Sequence, residues 1–100
     1  MLYYYRYVVI ETYESYGEFS RHSIRARPLT GQDLPTSMKV ECSASMRERH
    51  PPGTKFKVWA KIKATDDTHH LYTSWQWAYE VLSDQDAQTF IKAKQWGEQA

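Results

Sequence analysis

The chain has 100 residues, of which 41% are hydrophobic and 25% are charged, and this balance argues against global disorder. The length predicts a single domain over residues 1–100 with one hydrophobic core. No apolar run reaches the roughly 18 residues that a membrane-spanning helix needs, the N-terminus lacks the pattern of a secretion signal, and a lone cysteine excludes an internal disulfide. We therefore expect a cytoplasmic protein that does not associate with membranes.

Charge is unevenly distributed along the chain, although the formal net charge is only +1. Residues 21–63 carry ten lysines and arginines against three acidic residues, whereas both flanking segments hold more acidic than basic residues. Aromatic residues make up 15% of the chain, and most are Tyr or Trp. Because these residues favour strands and are common both in small cores and at binding surfaces, the composition indicates β structure with a basic middle.

The first part of the chain predicts two strands and a loop. Residues 2–13, LYYYRYVVIETY, are β-branched and aromatic, and because tyrosines occupy both faces we expect a central strand that is half covered on its second side. After a turn at residues 14–18, residues 19–28 predict a second strand, which ends at Pro28. Its alternating residues are Arg21, Ile24, Arg25, Ala26 and Arg27. Residues 29–37 have the composition of a connecting loop.

The middle of the chain predicts two further strands. Residues 38–47, MKVECSASMR, alternate between apolar and polar residues, and a basic turn follows at residues 47–54. Residues 55–64, KFKVWAKIKA, alternate most clearly. One face of that strand carries Phe56, Val58, Ala60 and Ile62. The opposite face carries Lys55, Lys57, Trp59, Lys61 and Lys63. The pattern therefore puts a tryptophan on a face that the lysines mark as solvent-exposed.

The last part of the chain predicts one more strand and a helix. After a polar turn at residues 65–70, residues 71–82, LYTSWQWAYEVL, alternate as a fifth strand. We expect one face of it to be the heaviest part of the core, with Trp75, Trp77, Tyr79 and Val81. Ser83 precedes an acidic turn and a helical spacing of apolar residues, which predicts a helix over residues 84–95 with a stop near Gly97.

Five strands and one helix in a chain of this length predict a mainly β fold. We expect a small five-stranded antiparallel sheet, curled or closed into a partly open barrel, with one C-terminal α-helix. An open sheet with a packed helix is the alternative, because the sequence does not fix the strand order. The expected core residues are Val40, Phe56, Val58, Ile62, Trp77 and Val81.

The lysine face around Trp59 is the leading candidate for a binding site. Single-stranded nucleic acid is bound by cations that follow its backbone and by rings on which bases stack. The candidate residues are Trp59, Lys55, Lys57, Lys61, Lys63, Arg21, Arg25, Arg27, Arg47 and Arg49. Two other interpretations remain open. The face is simply solvated or covered by the helix or a loop, or it belongs to a protein-interaction or assembly module that uses exposed Trp, Tyr and Arg.

Signals for a metal site or for catalysis are weak. The turn residues Asp66, Asp67, His69 and His70 have metal-ligand chemistry without a recognised ligand spacing, so they indicate a hydrated turn. Cys42 falls on the apolar face of its predicted strand, where a buried thiol is expected. Glu41 and His50 could cleave RNA as general acid and base, but no complete catalytic constellation accompanies them. We expect a binding module rather than an enzyme, with no metal and no cofactor.

Overall fold

A computed structural model describes residues 2–16, 22–64 and 69–99. Within these residues the chain forms six strands and two helices. The strands are β1 (Leu2–Tyr16), β2 (His22–Pro28), β3 (Lys39–Glu41), β4 (Lys55–Ala64), β5 (His69–Tyr72) and β6 (Tyr79–Leu82). The helices are α1 (Ala44–Glu48) and α2 (Asp84–Ala93). The protein is therefore mainly β, as its composition predicts.

The six strands form one sheet in the order β2, β1, β4, β5, β3, and β6 pairs with β4 on the same edge as β5. Every pair is antiparallel except β3 with β5, which is parallel. The sheet curls until its end strands, β2 and β3, come within 8 Å of each other at their Cα atoms without pairing. We call this gap the seam. The predicted partly open barrel is thus confirmed, with one parallel pair that the sequence did not predict.

The barrel interior is built from alternate residues of the central strands. Its buried members from β1, β4 and β5 are Val8, Ile10, Phe56, Val58, Ala60, Ile62 and Leu71. Each such side chain contributes roughly 1.5–3 kcal/mol when it is fully buried. The predicted burial of Phe56, Val58 and Ile62 is confirmed. Val40 is only half-buried, because it belongs to the end strand beside the seam.

A second apolar cluster covers the outer face of β1. Val9 packs there with Ala87 and Ile91 of α2 and with Trp96, and all four side chains are buried. Since β1 also lies between β2 and β4, it is central and covered on both faces in this region. This confirms the prediction from the poor alternation of the N-terminal segment.

Helix α2 begins where its sequence signals predict. The Ser83 side chain accepts a hydrogen bond from the backbone N–H of Asp86 at 3.0 Å, which caps the first turn. The helix ends at Ala93, earlier than the predicted residue 95, because Lys94 adopts a left-handed conformation with φ 53°. Gly97 lies beyond this end, in the C-terminal tail, with φ 62°.

The prediction of one strand over residues 71–82 is wrong. β5 and β6 pair with opposite ends of the same edge of β4, so the chain between them leaves the sheet. Ser74 organises the connection: its carbonyl accepts from the N–H of Trp77 and its hydroxyl from the N–H of Gln76. Trp75 is 77% exposed and Val81 53% exposed, and Tyr79 is also exposed. Trp77 is only half-buried, so these four residues do not form the core that their alternation predicts.

The strand predicted over residues 38–47 is also wrong beyond Glu41. Ser43 caps the short helix α1 by accepting a hydrogen bond from the N–H of Met46 at 3.0 Å. The buried Met46 side chain reaches the core from this helix rather than from a strand. Small polar residues such as those of this segment favour helix caps, a preference that competes with the apparent alternation.

Candidate functional site

The register of β1 against β4 places tyrosines opposite the lysine face. Tyr3 lies opposite Lys63, Tyr5 opposite Lys61, and Tyr7 opposite Trp59. Because directly opposed residues lie on the same side of a sheet, these side chains form one surface. We call it the aromatic–lysine face, and it consists of Tyr3, Tyr5, Tyr7, Trp59, Tyr72, Trp77, Lys57, Lys61 and Lys63.

Trp59 lies in the middle of a continuous set of rings. Its ring is almost parallel to that of Tyr5, with centroids 6.2 Å apart and an interplanar angle of 9°, and it meets Tyr7 edge-on at 4.7 Å. Trp77 contacts both Tyr5 and Tyr72, at centroid distances of 6.3 and 5.8 Å. These separations are typical of favourable aromatic pairs. Trp59 is therefore half-buried by neighbouring rings and is only partly open to a ligand.

The lysines of this surface lie over the rings of its tyrosines. The Lys61 ammonium is 4.2 Å from the centroid of Tyr3, and the Lys57 ammonium is 4.7 Å from that of Tyr7. Lys57 also lies 5.1 Å from Phe90 of α2. Within the described part of the chain, no carboxylate forms an ion pair with Lys57 or Lys61. Cation–π contacts thus hold positive charge beside exposed rings.

The C-terminal tail borders the aromatic–lysine face. The N–H of Tyr7 donates to the carbonyl of Trp96, and Tyr5 exchanges two backbone hydrogen bonds with Gln99. A Cβ atom at Gly97 would lie 3.5 Å from the Tyr7 ring and 3.9 Å from the Trp59 ring. The C-terminal tail therefore covers part of Trp59, a role that the sequence analysis assigned to the helix or to a loop.

The rings most open to a ligand are the outer ones. Tyr3 is 50% exposed, and Tyr7 and Tyr72 are also exposed. The sequence prediction missed all three tyrosines, because it grouped the lysines and Trp59 with the arginines of other segments and did not pair them with the first strand. Tyrosines at the alternating positions 3, 5 and 7 indicate an aromatic face on the first strand. Only the pairing of β1 with β4 shows that this face lies beside the lysines.

Two of the predicted site residues lie on the same side of the sheet, beyond the set of rings, and are neutralised by carboxylates. Lys55 forms ion pairs with Asp84, at 3.0 Å, and with Glu11, at 3.7 Å. Arg27 forms an ion pair with the same Glu11 at 3.0 Å and lies over the ring of Tyr13. The charges of Lys55 and Arg27 are thus already matched by acidic partners.

The other predicted arginines do not belong to the aromatic–lysine face. Arg25 and Arg47 line a cavity at the seam. Arg49 is the exposed C-terminal cap of α1. Arg21 lies outside the described residues. The basic middle of the sequence is therefore divided between at least two surfaces, of which only one carries the set of stacked rings.

The candidate catalytic groups are not brought together. The carboxylate of Glu41 lies 3.2 Å from the imidazole of His70, whereas His50 contacts Tyr79 and Phe56. Among the described residues, Glu41 thus pairs with His70, and no hydrogen bond or ion pair joins Glu41 to His50. Burial raises the pKa of the Cys42 thiol, although Arg47 acts in the opposite direction, so this thiol is kept in its unreactive protonated form.

The candidate metal ligands are only partly covered by the structure. Asp66 and Asp67 lie outside the described residues, His69 is exposed, and His70 is beside Glu41. The residues that the structure does describe contain no group of three or more His, Cys, Asp or Glu side chains arranged to hold a metal ion.

Comparison of the chain with protein-family models, curated proteins and solved structures finds no match. Neither described helix has the length and apolar character needed to cross a membrane. We therefore infer function from the geometry of the chain's own surfaces.

Proposed function

We propose that this protein is a small binding module that takes single-stranded nucleic acid on its aromatic–lysine face. The observation that carries the proposal is the combination of six contacting rings with lysine ammonium groups that lie beside them and make no ion pair with a described carboxylate. A surface that only needed to be soluble would not require so many rings at its centre.

The chemistry of such a surface matches that of an unpaired strand. Tyr3, Tyr7 and Tyr72 are exposed, so bases can stack on them, and each stack contributes roughly 1–3 kcal/mol. Stacking tolerates any base, so we expect little sequence preference. Lys57, Lys61 and Lys63 lie on the same face and would contact the phosphates. With three such contacts, the logarithm of the association constant should fall with the logarithm of salt concentration with a slope of about −2.

The test is a fluorescence-anisotropy titration of labelled single-stranded oligonucleotides at low salt. Tyr3→Ala should weaken binding by roughly 1–3 kcal/mol, because it removes an exposed stacking ring. Lys61→Glu should weaken binding and reduce the dependence on salt. Both positions lie on the surface of the sheet, so we expect both variants to fold; circular dichroism checks this.

Matched controls come from the same strand and from the helix. Tyr16→Ala removes an exposed tyrosine at the opposite end of β1, and Lys92→Glu reverses an exposed charge on α2. Both should bind like the parent. If the parent does not bind at low salt, or if the controls lose as much affinity as the test variants, the proposal is wrong. The exposed Trp75 would then favour the alternative of a protein-interaction module, whose binding should depend little on salt.

A further inference from the structure

The seam between β2 and β3 contains a cavity of about 340 Å³ whose charged lining residues are all basic. Three cationic residues line it, Arg25, Lys39 and Arg47, together with Tyr13 and Ser37. No acidic residue is among its lining residues, all of which the structure describes. Three neighbouring cations without a counterion repel one another, so the cavity favours an anionic ligand.

Arg47 is the innermost of these cations and has an unused donor. Its Nη1 donates to the carbonyl of Ile24 at 2.7 Å, which links α1 to the edge of β2. Its Nε is buried and has no hydrogen-bond partner. A phosphate oxygen is the acceptor that a guanidinium group matches best. Because Nε itself is closed to solvent, Arg47 meets a ligand in the cavity through Nη2, which has no hydrogen-bond partner among the described residues. Arg25 and Lys39, by contrast, are exposed, and neither forms an ion pair within the described ranges.

A second cavity of about 380 Å³ adjoins the first, because Val40 and Arg47 line both. Trp75, the most exposed of the large hydrophobic residues that the structure describes, lies on its wall. Glu41 also lines this cavity, so an anion is disfavoured there and favoured in the seam. The two cavities therefore offer a cationic site next to an aromatic site.

We propose that the two cavities together bind a phosphate monoester of a planar aromatic group, of which a nucleoside 5′-monophosphate is the simplest example. The phosphate lies among Arg25, Lys39 and Arg47, and the base stacks on Trp75. A phosphate monoester carries a charge of about −1.5 to −2 at pH 7, which suits three cations better than the single charge of a phosphodiester. Each cavity volume falls in the range of about 300–1,000 Å³ that is typical of small-molecule sites.

This site is distinct from the aromatic–lysine face but touches it, since Tyr72 belongs to that face and also lines the second cavity. The ligand could therefore be a free nucleotide or the 5′-phosphorylated end of a nucleic-acid strand. The shared chemistry is the phosphate monoester with its base, and the proposal does not depend on whether the aromatic–lysine face binds a strand.

Isothermal titration calorimetry at low salt tests the site with adenosine 5′-monophosphate, adenosine and inorganic phosphate. The nucleotide should bind saturably, and adenosine at least about tenfold more weakly, because it lacks the charged group. Arg25→Ala and Lys39→Ala should each weaken nucleotide binding about tenfold or more. Trp75→Ala should weaken nucleotide binding about tenfold and leave phosphate binding unchanged. Arg47 is left intact, because its substitution would also remove the bond to Ile24.

Arg49→Ala is the matched control, because Arg49 is an exposed arginine two residues from Arg47 that does not line either cavity. It should bind the nucleotide like the parent. The proposal is overturned if the nucleotide shows no saturable binding up to about 10 mM, if Arg49→Ala loses as much affinity as Arg25→Ala, or if Trp75→Ala binds the nucleotide as tightly as the parent does.

Two oligonucleotides that differ only in the 5′ group distinguish the two sources of the ligand. Tighter binding of the 5′-phosphorylated strand, lost in Arg25→Ala, would identify the strand end; equal binding of both, with the mononucleotide still bound, would identify the free nucleotide. Tyr3→Ala separates this proposal from the proposed function: it should lower oligonucleotide affinity and leave mononucleotide affinity unchanged, because Tyr3 lines neither cavity.

Discussion

Gln32 acts in place of a neighbouring strand along the edge of β1. Its side-chain oxygen accepts from the N–H of Val9 at 2.7 Å, and its side-chain amide donates to the carbonyls of Val9 and Leu29 at 2.8 and 2.9 Å. β2 pairs with β1 only from Ile10 onwards, so without Gln32 the buried N–H of Val9 would have no partner, although the Val9 carbonyl would still accept from the N–H of Leu29. The sequence prediction gave this residue a loop position with no role.

Replacing Gln32 with leucine should therefore destabilise the protein, although leucine is apolar and similar in size to glutamine. The buried N–H of Val9 would lose its partner, at about 1–3 kcal/mol, and the part-buried carbonyl of Leu29 would lose the bond from the Gln32 amide, so we expect a loss of about 1–4 kcal/mol in the free energy of unfolding. Urea denaturation measures it. Gln88→Leu, on the exposed side of α2, should change stability by less than about 0.5 kcal/mol. Equal urea midpoints for Gln32→Leu and the parent would contradict this role.

Arg6 shows why alternation alone cannot predict every inward residue. It lies opposite Ala60 on β1 and is only 1% exposed. Its guanidinium donates to the carbonyls of Gln32 and Tyr7 and lies 4.2 Å from the ring of Trp96. Burial lowers the pKa of Arg6, because desolvation penalises the charged form. Gln32 belongs to a loop and Trp96 to the C-terminal tail, and both are far from Arg6 in the sequence, so no local pattern predicts these two contacts.

At the level of elements, helix α2 was predictable because its signals are local. The Ser83 cap, the acidic first turn and the spacing of Ala87 and Ile91 all lie within one segment. The end of the helix was less predictable, since Lys94 adopts the left-handed conformation that usually belongs to glycine. Its N–H bonds to the carbonyls of Phe90 and Ile91, which closes the last turn.

Glycine substitutions at two exposed lysines should have opposite effects. Lys94→Gly should raise the free energy of unfolding by about 0.5–1 kcal/mol, because glycine adopts a positive φ without the steric cost of a side chain. Lys92→Gly, inside the helix, should lower it by about 1 kcal/mol. Thermal unfolding should then show melting temperatures that shift by a few degrees in opposite directions. Shifts of the same sign would mean that Lys94 is not in a left-handed conformation.

The strands that the sequence predicted wrongly share one physical cause. In residues 71–82, aromatic residues alternate through the connection between β5 and β6 as regularly as they would in a strand. This pattern does not indicate that the segment pairs with β4 at two separate places. In residues 38–47, serines and alanines fit both an alternating strand and a capped helix. Local periodicity is decisive only where a strand pairs along its whole length, as β4 does with β1.

At the level of the whole molecule, the pairing of distant strands creates both candidate sites. β1 and β4 are far apart in the chain, and their pairing unites tyrosines with lysines. The meeting of β2 and β3 across the seam gathers Arg25, Lys39 and Arg47. The sequence identified the lysines, the arginines and Trp59 as candidates, but it could not divide them between two surfaces, because that division depends on strand order.

The seam itself predicts an alternating pattern of hydrogen exchange along β2. The carbonyl of Ile24 accepts from Arg47, so it faces the seam. Because the N–H and C=O of one strand residue point the same way and neighbours alternate, the N–H groups of Ile24 and Ala26 face the seam, and those of Arg25 and Arg27 face β1. No described strand pairs with β2 on the seam side.

We therefore expect the amides of Ile24 and Ala26 to exchange faster than those of Arg25 and Arg27 by a factor on the order of a hundred or more, since only the latter pair are held by strand pairing. Nuclear magnetic resonance in D₂O resolves the four amides individually. Amides in the middle of β4 serve as the protected reference, because β4 pairs with β1 along its whole length. Uniform protection along β2 would mean that β2 and β3 pair in solution, which would close the barrel and remove the cavity between them.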